Sequence, residues 1–168
     1  MTSYTPKNDV TIDSSLIGRK WAHRFMEQAK LISSWSKDRT KIGAICVSLD
    51  KRILSTGYNG FPAGISDDER LLDRETKYKL VIHAELNVIL NAAKNGVSIN
   101  DSIVFIYGLP PCSDCSKTMI QAGIKEVWFM VNPDVDSEKW RKSFETSKEM
   151  FDEAGIQTYE IKKLCTFT

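Results

Sequence analysis

"SIVFIYGLPPCSDCSKTMIQAGIKEVWFMV", residues 102–131, decides the fold. Its ends, "SIVFIYG" and "EVWFMV", are short apolar runs rich in β-branched and aromatic residues, the composition of strands covered on both faces. Between them, residues 112–122 read as a helix that stops at Gly123. Downstream the alternation continues, with a helix over 136–154 ending at Gly155 and a last strand, "IQTYEI". Upstream, a helix over 83–95 ends at Gly96. Helix and strand alternating in this way predict an α/β layer fold with right-handed crossovers.

The first part of the chain adds a different unit. "IGAICVSL", the turn "DK" and "RILSTGYN" predict an antiparallel hairpin, which makes the sheet mixed and brings the strands to five. Before it, Leu16, Ile17, Trp21, Phe25, Met26, Ala29 and Ile32 recur at helical spacing, predicting a first helix from Ser14 or Ser15 to Ser36. "GFPAGISDDERLLDRETKYKL" is dense in turn formers and charge and reads as a long loop with a short helix near 67–73. Residues 1–14 read as a loose arm, and 15–168 as a single domain.

Composition excludes several classes. No apolar run approaches the roughly 18 residues of a membrane span, and the first residues lack the basic-then-apolar order of a secretory signal, so a cytoplasmic protein is expected. A net charge of +1 gives no excess for binding nucleic acid, whose affinity rests on neutralised phosphates, and favours a small-molecule ligand instead. Four cysteines in such a chain suggest a metal site with spectators rather than a disulfide frame. Cys46, inside a strand, reads as an inert buried thiol, and Cys165 as a spectator; His23 reads as structural or exposed.

Pro111, Cys112 and Cys115 stand where a buried strand gives way to a helix, so the two sulfurs share one face of its first turn. Helix N-termini favour negative charge and lower thiol pKa values, which helps keep thiolates for a metal. Alone, C-x-x-C is equally a redox pair or half a structural zinc knuckle. With no second cysteine pair, the third ligand falls to His83, one of two histidines, which opens another helix and can aim into the same crevice. Three ligands leave tetrahedral zinc an open position for water, the arrangement of a catalytic site. Glu85, two residues on, points roughly away from His83 on a helix, so it suits a proton shuttle better than a ligand. The bland reading of His83 is a satisfied structural histidine; its company with Glu85 and the cysteine pair outweighs that.

His83-Ala84-Glu85 with Pro111-Cys112-Ser113-Asp114-Cys115 matches the H-x-E and P-C-x-x-C signature of zinc nucleobase deaminases. Together with "SKDRTKIGAICV", "STGYNGFPAGISDD" and "KYKLVIHAELNVILNAA", these segments resemble the deoxycytidylate (dCMP) deaminase branch of the cytidine deaminase superfamily over roughly residues 18–131. The resemblance implies a three-layer α/β/α fold with a five-stranded mixed sheet. It implies Zn2+ held by His83, Cys112 and Cys115, with Glu85 moving protons in the hydrolysis of dCMP to dUMP. It also implies that the Ala84 N–H holds the base and Asn59 contacts sugar or base. The "GYNGFPAGISDD" loop resembles the segment that binds a nucleoside triphosphate regulator, with Tyr58, Gly60, Gly64 and Asp67 as candidate contacts. dCTP or dTTP would be the effectors, in homo-oligomers from dimer to hexamer; the alternative is a solvated acidic turn.

Lys37 and Arg39, with Lys41, supply the donors that a nucleotide phosphate needs, or else form a solvated basic turn. "NPDVDSEKW" and "IYGLPPC" depart from the family pattern, which leaves the choice among dCMP, dCTP, cytidine and free cytosine open. Two further readings stand against the first: deamination of a base within RNA, and a non-catalytic protein in which zinc staples two helices. A fourth protein ligand or a lost glutamate would mark the last.

Overall fold

A computed structural model describes residues 15–165; the arm read over residues 1–14 lies outside them. Five strands form one sheet in the order β2-β1-β3-β4-β5. They are β1 Gly43–Val47, β2 Ile53–Tyr58, β3 Ile103–Gly108, β4 Glu126–Val131 and β5 Gln157–Glu160. β1 runs antiparallel to both its neighbours, while β3, β4 and β5 are parallel. The mixed sheet expected from one hairpin followed by helical crossovers is therefore the one observed.

Side chains alternate across the strands, so each face receives its own helices. Ala44, Cys46, Val104, Ile106, Val127 and Phe129 face a core shared with α3 Ala84–Lys94, α4 Ser113–Gln121 and α5 Arg141–Glu153. Ile45, Val47, Phe105, Trp128 and Tyr159 face α1 Arg19–Ser33. On this side Phe25, Phe105, Trp128 and Tyr159 form a row of rings, with centroids 5.5, 5.9 and 4.2 Å apart. That is the α/β/α arrangement.

Two close approaches set how the helices lie. A Cβ on Gly43 would fall 2.2 Å from the Ala29 carbonyl oxygen of α1. One on Gly57 would fall 2.4 Å from the Ala84 oxygen and 2.6 Å from the Val88 nitrogen, so glycine lets α3 rest directly on β2. Asn87 and Asn91 then donate to the carbonyls of Tyr58 and Thr56, tying that helix to the strand at 2.8 Å each. The start of α3 is thereby held in place.

Several sequence expectations change at their ends. The first helix begins at Arg19 instead of Ser14 or Ser15, because Gly18 takes a left-handed φ of 76° and breaks the turn. It stops at Ser33, three residues short of Ser36, where Ser33 and Ser34 hydroxyls bond back to the Lys30 and Leu31 carbonyls. The long loop contains more helix than its charge suggested: a 3-10 turn at Glu69–Leu71, then α2 Arg74–Leu80. Asp73 caps α2 by accepting from Thr76 N at 2.9 Å, a start signal lost among the surrounding charges. The helix expected over 136–154 is a 3-10 turn, Glu138–Trp140, leading into α5.

Candidate active site

Two helix N-termini and the carboxyl end of β3 converge. His83 is the N-cap residue of α3 and Cys112 that of α4, each in extended backbone, with Cys115 one turn into α4. His83 Nδ1 lies 3.4 Å from each of the two sulfurs, across sequence separations of 29 and 32 residues. The three ligand atoms all fall within 4.8 Å of one another, and among the described residues this is the one such cluster of His, Cys, Asp or Glu.

The donors fit zinc in kind and in spacing. Bonds of about 2.3 Å to sulfur and about 2.0 Å to nitrogen at tetrahedral angles place N and S about 3.5 Å apart. The observed 3.4 Å matches. The cluster has three members, so the zinc-staple reading lacks its fourth protein ligand among the described residues. Glu85 is not part of it.

Electrostatics follow from burial and mutual contact. The Cys112 thiol is pulled down to about 4, chiefly by a hydrogen bond from Cys115 and then by His83. Cys115 moves up, because it holds the proton that it donates to Cys112. His83 rises to about 9 through its hydrogen bond with Cys112. Burial lifts Glu85 to about 7, against the opposing pull of His83. A carboxyl poised there can both take and give a proton near neutrality.

His83, Glu85 and Cys112 open onto a cleft that Ala84 and Asn59 also line. Asn59 is clasped: its Oδ1 accepts from Ile42 N at 2.9 Å and its Nδ2 donates to the Thr40 carbonyl at 2.7 Å. Lys37 and Arg39 are exposed and not among the residues lining the cleft, whereas Asp38 between them is buried and lines it. Asp38 pairs at 2.8 Å with Lys77 of α2.

The loop residues lie elsewhere. Tyr58 sits edge-on to Trp35 at 6.1 Å, and Asp67 accepts from Phe61 N at 2.8 Å, closing its own loop beside Gly60. Gly64 takes φ 90° with open space around it. Sequence reasoning missed Lys77, Tyr78, Lys139, Trp140 and Phe144, all of which line the cleft. One signal pointed to them: both departures from the family pattern reach this wall, through Leu109 and Pro110 and through Lys139 and Trp140.

Comparison with known proteins agrees with this geometry. Residues 19–131 match the cytidine and deoxycytidylate deaminase zinc-binding region. Human deoxycytidylate deaminase is 40% identical over 158 residues, covering 88% of this chain and 83% of that protein. An uncharacterized deaminase in the luxG 3′ region of Aliivibrio fischeri is 36% identical over 139 residues, covering 82% of this chain and 91% of that one. Among solved structures, dCMP deaminase from cyanophage S-TIM5 in complex with dCMP and dUMP superposes with a TM-score of 0.65 at 27% identity, covering 86% of this chain and 99% of that one. Zinc is the metal of this family, and the three donors suit it. With a matching zinc-binding region over residues 19–131 and relatives this similar, the chain belongs to the cytidine and deoxycytidylate deaminase family.

Proposed function

We propose that residues 15–168 act as one domain that hydrolyses dCMP to dUMP and ammonia, with zinc held by His83, Cys112 and Cys115. One observation carries this reading: an imidazole nitrogen 3.4 Å from two sulfurs, with the buried carboxyl of Glu85 in the same cleft. The human and cyanophage relatives named as dCMP deaminases support the choice of substrate.

Zinc bound there would acidify a water, making it a nucleophile at neutral pH. Glu85 would take the proton of the attacking water and pass it to N3 of the cytosine ring as the new C–O bond forms at C4. It would then move a proton to the 4-amino group, so that the C–N bond breaks and ammonia leaves. The Ala84 N–H, at the start of α3, would hold the base. Asn59 would serve the sugar with the donor hydrogen left over from its clasp. Lys77 and Lys139, which line the cleft, would take the phosphate, with Lys37 and Arg39 flanking Asp38 in sequence.

The loop carrying Tyr58, Gly60, Gly64 and Asp67 would bind dCTP or dTTP as regulators, in a cytoplasmic homo-oligomer. Sequence resemblance supports the effectors and the homo-oligomer. Among the described residues no helix is long and apolar enough to cross a membrane. The test is a panel of cytosine, deoxycytidine, dCMP, CMP and dCTP incubated with zinc-loaded protein, following loss of cytosine absorbance. dCMP is expected to react fastest, and failure of every member to react would remove the proposal.

A further inference from the structure

The proposed activity meets a mismatch of size. The cleft has a volume of about 80 Å³, whereas sites that enclose ligands of drug or nucleotide size span roughly 300–1,000 Å³. The cleft opens to solvent on one side, so a wall that moves would let a nucleotide sit deeper toward Glu85.

Two rings from separate segments meet among the residues that line the cleft. Tyr78 of α2 is 40% exposed, and its ring lies 5.9 Å from that of Trp140, nearly perpendicular to it at 88°. Their supports differ. α2 is pinned, since Lys77 beside Tyr78 reaches Asp38, whose side chain is 1% exposed, and the chain that follows bridges Ile82 to Gly60. Neither α2 nor the 3-10 turn bearing Trp140 buries a side chain, so the difference lies in their ties: the ion pair of Glu138 in the turn goes to the neighbouring Arg141, both exposed. Segments with so few buried contacts open at small cost.

Behind that turn lies a recess of about 590 Å³ between α5 and the strands β4 and β5. Ser137, Val131 and Thr158 wall it, and Phe144 and Pro110 face both the recess and the cleft. The turn therefore has space to enter.

We propose that Trp140 is the moving leaf of an aromatic gate over the zinc cleft, parting from Tyr78 by swinging into this recess to admit a nucleotide. This inference rests on the proposed activity, and its test has a separate readout. Zinc-loaded wild type, Trp140→Ala, Tyr78→Ala and Thr158→Trp would each be mixed with excess 4-(2-pyridylazo)resorcinol, a two-ring chelator that colours on taking zinc. Removing either ring is expected to speed zinc transfer about two- to tenfold, the population change that one aromatic contact supports. Thr158→Trp fills the recess and is expected to slow transfer and lower kcat/KM for dCMP. Val131→Phe serves as a second filler should circular dichroism show Thr158→Trp unfolded. Equal transfer rates across the set, or faster transfer in a folded filler variant, overturn the gate. Rates that keep the expected order while no cytosine compound reacts uphold the gate and defeat the proposed activity instead.

Discussion

Glu85→Gln tests the site through two opposite effects. The side chain is 5% exposed, and in metal-free protein burial raises its carboxyl from 4.5 to about 7. A folded-state value above the unfolded one means that stability is fully present below about pH 4.5 and is lost as pH rises through about 7. That rise from 4.5 to about 7 corresponds to about 3 kcal/mol against folding of the zinc-stripped chain once pH is well above 7. Glutamine keeps the shape and cannot ionise. Relative to wild type, the zinc-stripped variant should therefore gain about 3 kcal/mol between pH 4 and pH 8.5, or about 6–12 °C in Tm for a chain of this size. Thermal unfolding by circular dichroism across that range reads it directly. The same variant, loaded with zinc, should lose about 10²–10⁴-fold in kcat on dCMP with a much smaller change in KM, because a proton carrier is gone. Parallel Tm curves for the two proteins would refute the burial argument, and wild-type kcat would refute the assigned role.

Two other outcomes follow from the same geometry. Zinc binding at pH 7 should release about two protons, one from His83 at about 9 and one from the raised Cys115 thiol, since Cys112 is already a thiolate. Calorimetry in buffers of differing ionisation enthalpy counts them, and release of one or three would contradict the shared-proton arrangement. Gly57→Ala would drive a methyl to within 2.4 Å of the Ala84 oxygen and push α3 off β2. The expected cost is about 1–3 kcal/mol, with zinc affinity falling because His83 moves with the helix; unchanged Tm and zinc affinity would show that α3 does not depend on that approach.

Most of the architecture was legible in local pattern. Unbroken apolar runs announced β3 and β4; β3 is buried throughout, and β4 over its first four residues, with Met130 and Val131 half-buried. Glycines after α3, α4 and α5 marked their ends because each takes a positive φ. α2 escaped notice because seven residues without a single buried side chain carry no apolar periodicity; only the Asp73 cap betrays such a helix. Lys37 and Arg39 illustrate the converse. Their charge suggested a phosphate site, yet the backbone turns Asp38 inward and both cations outward.

Short-range order belonged to the sequence by itself: which residues form helices and strands, that two sulfurs three apart share a helical face, and that a carboxylate stands two residues from an imidazole. Such features depend on dihedral preferences and spacings within a turn or two. Tertiary structure alone decided that His83 meets Cys112 across 29 residues, that Asn59 clasps the segment before β1, and that Tyr78 faces Trp140. Those contacts arise where helices on one face of the sheet pack against each other, and no local propensity encodes which distant side chains that packing brings together.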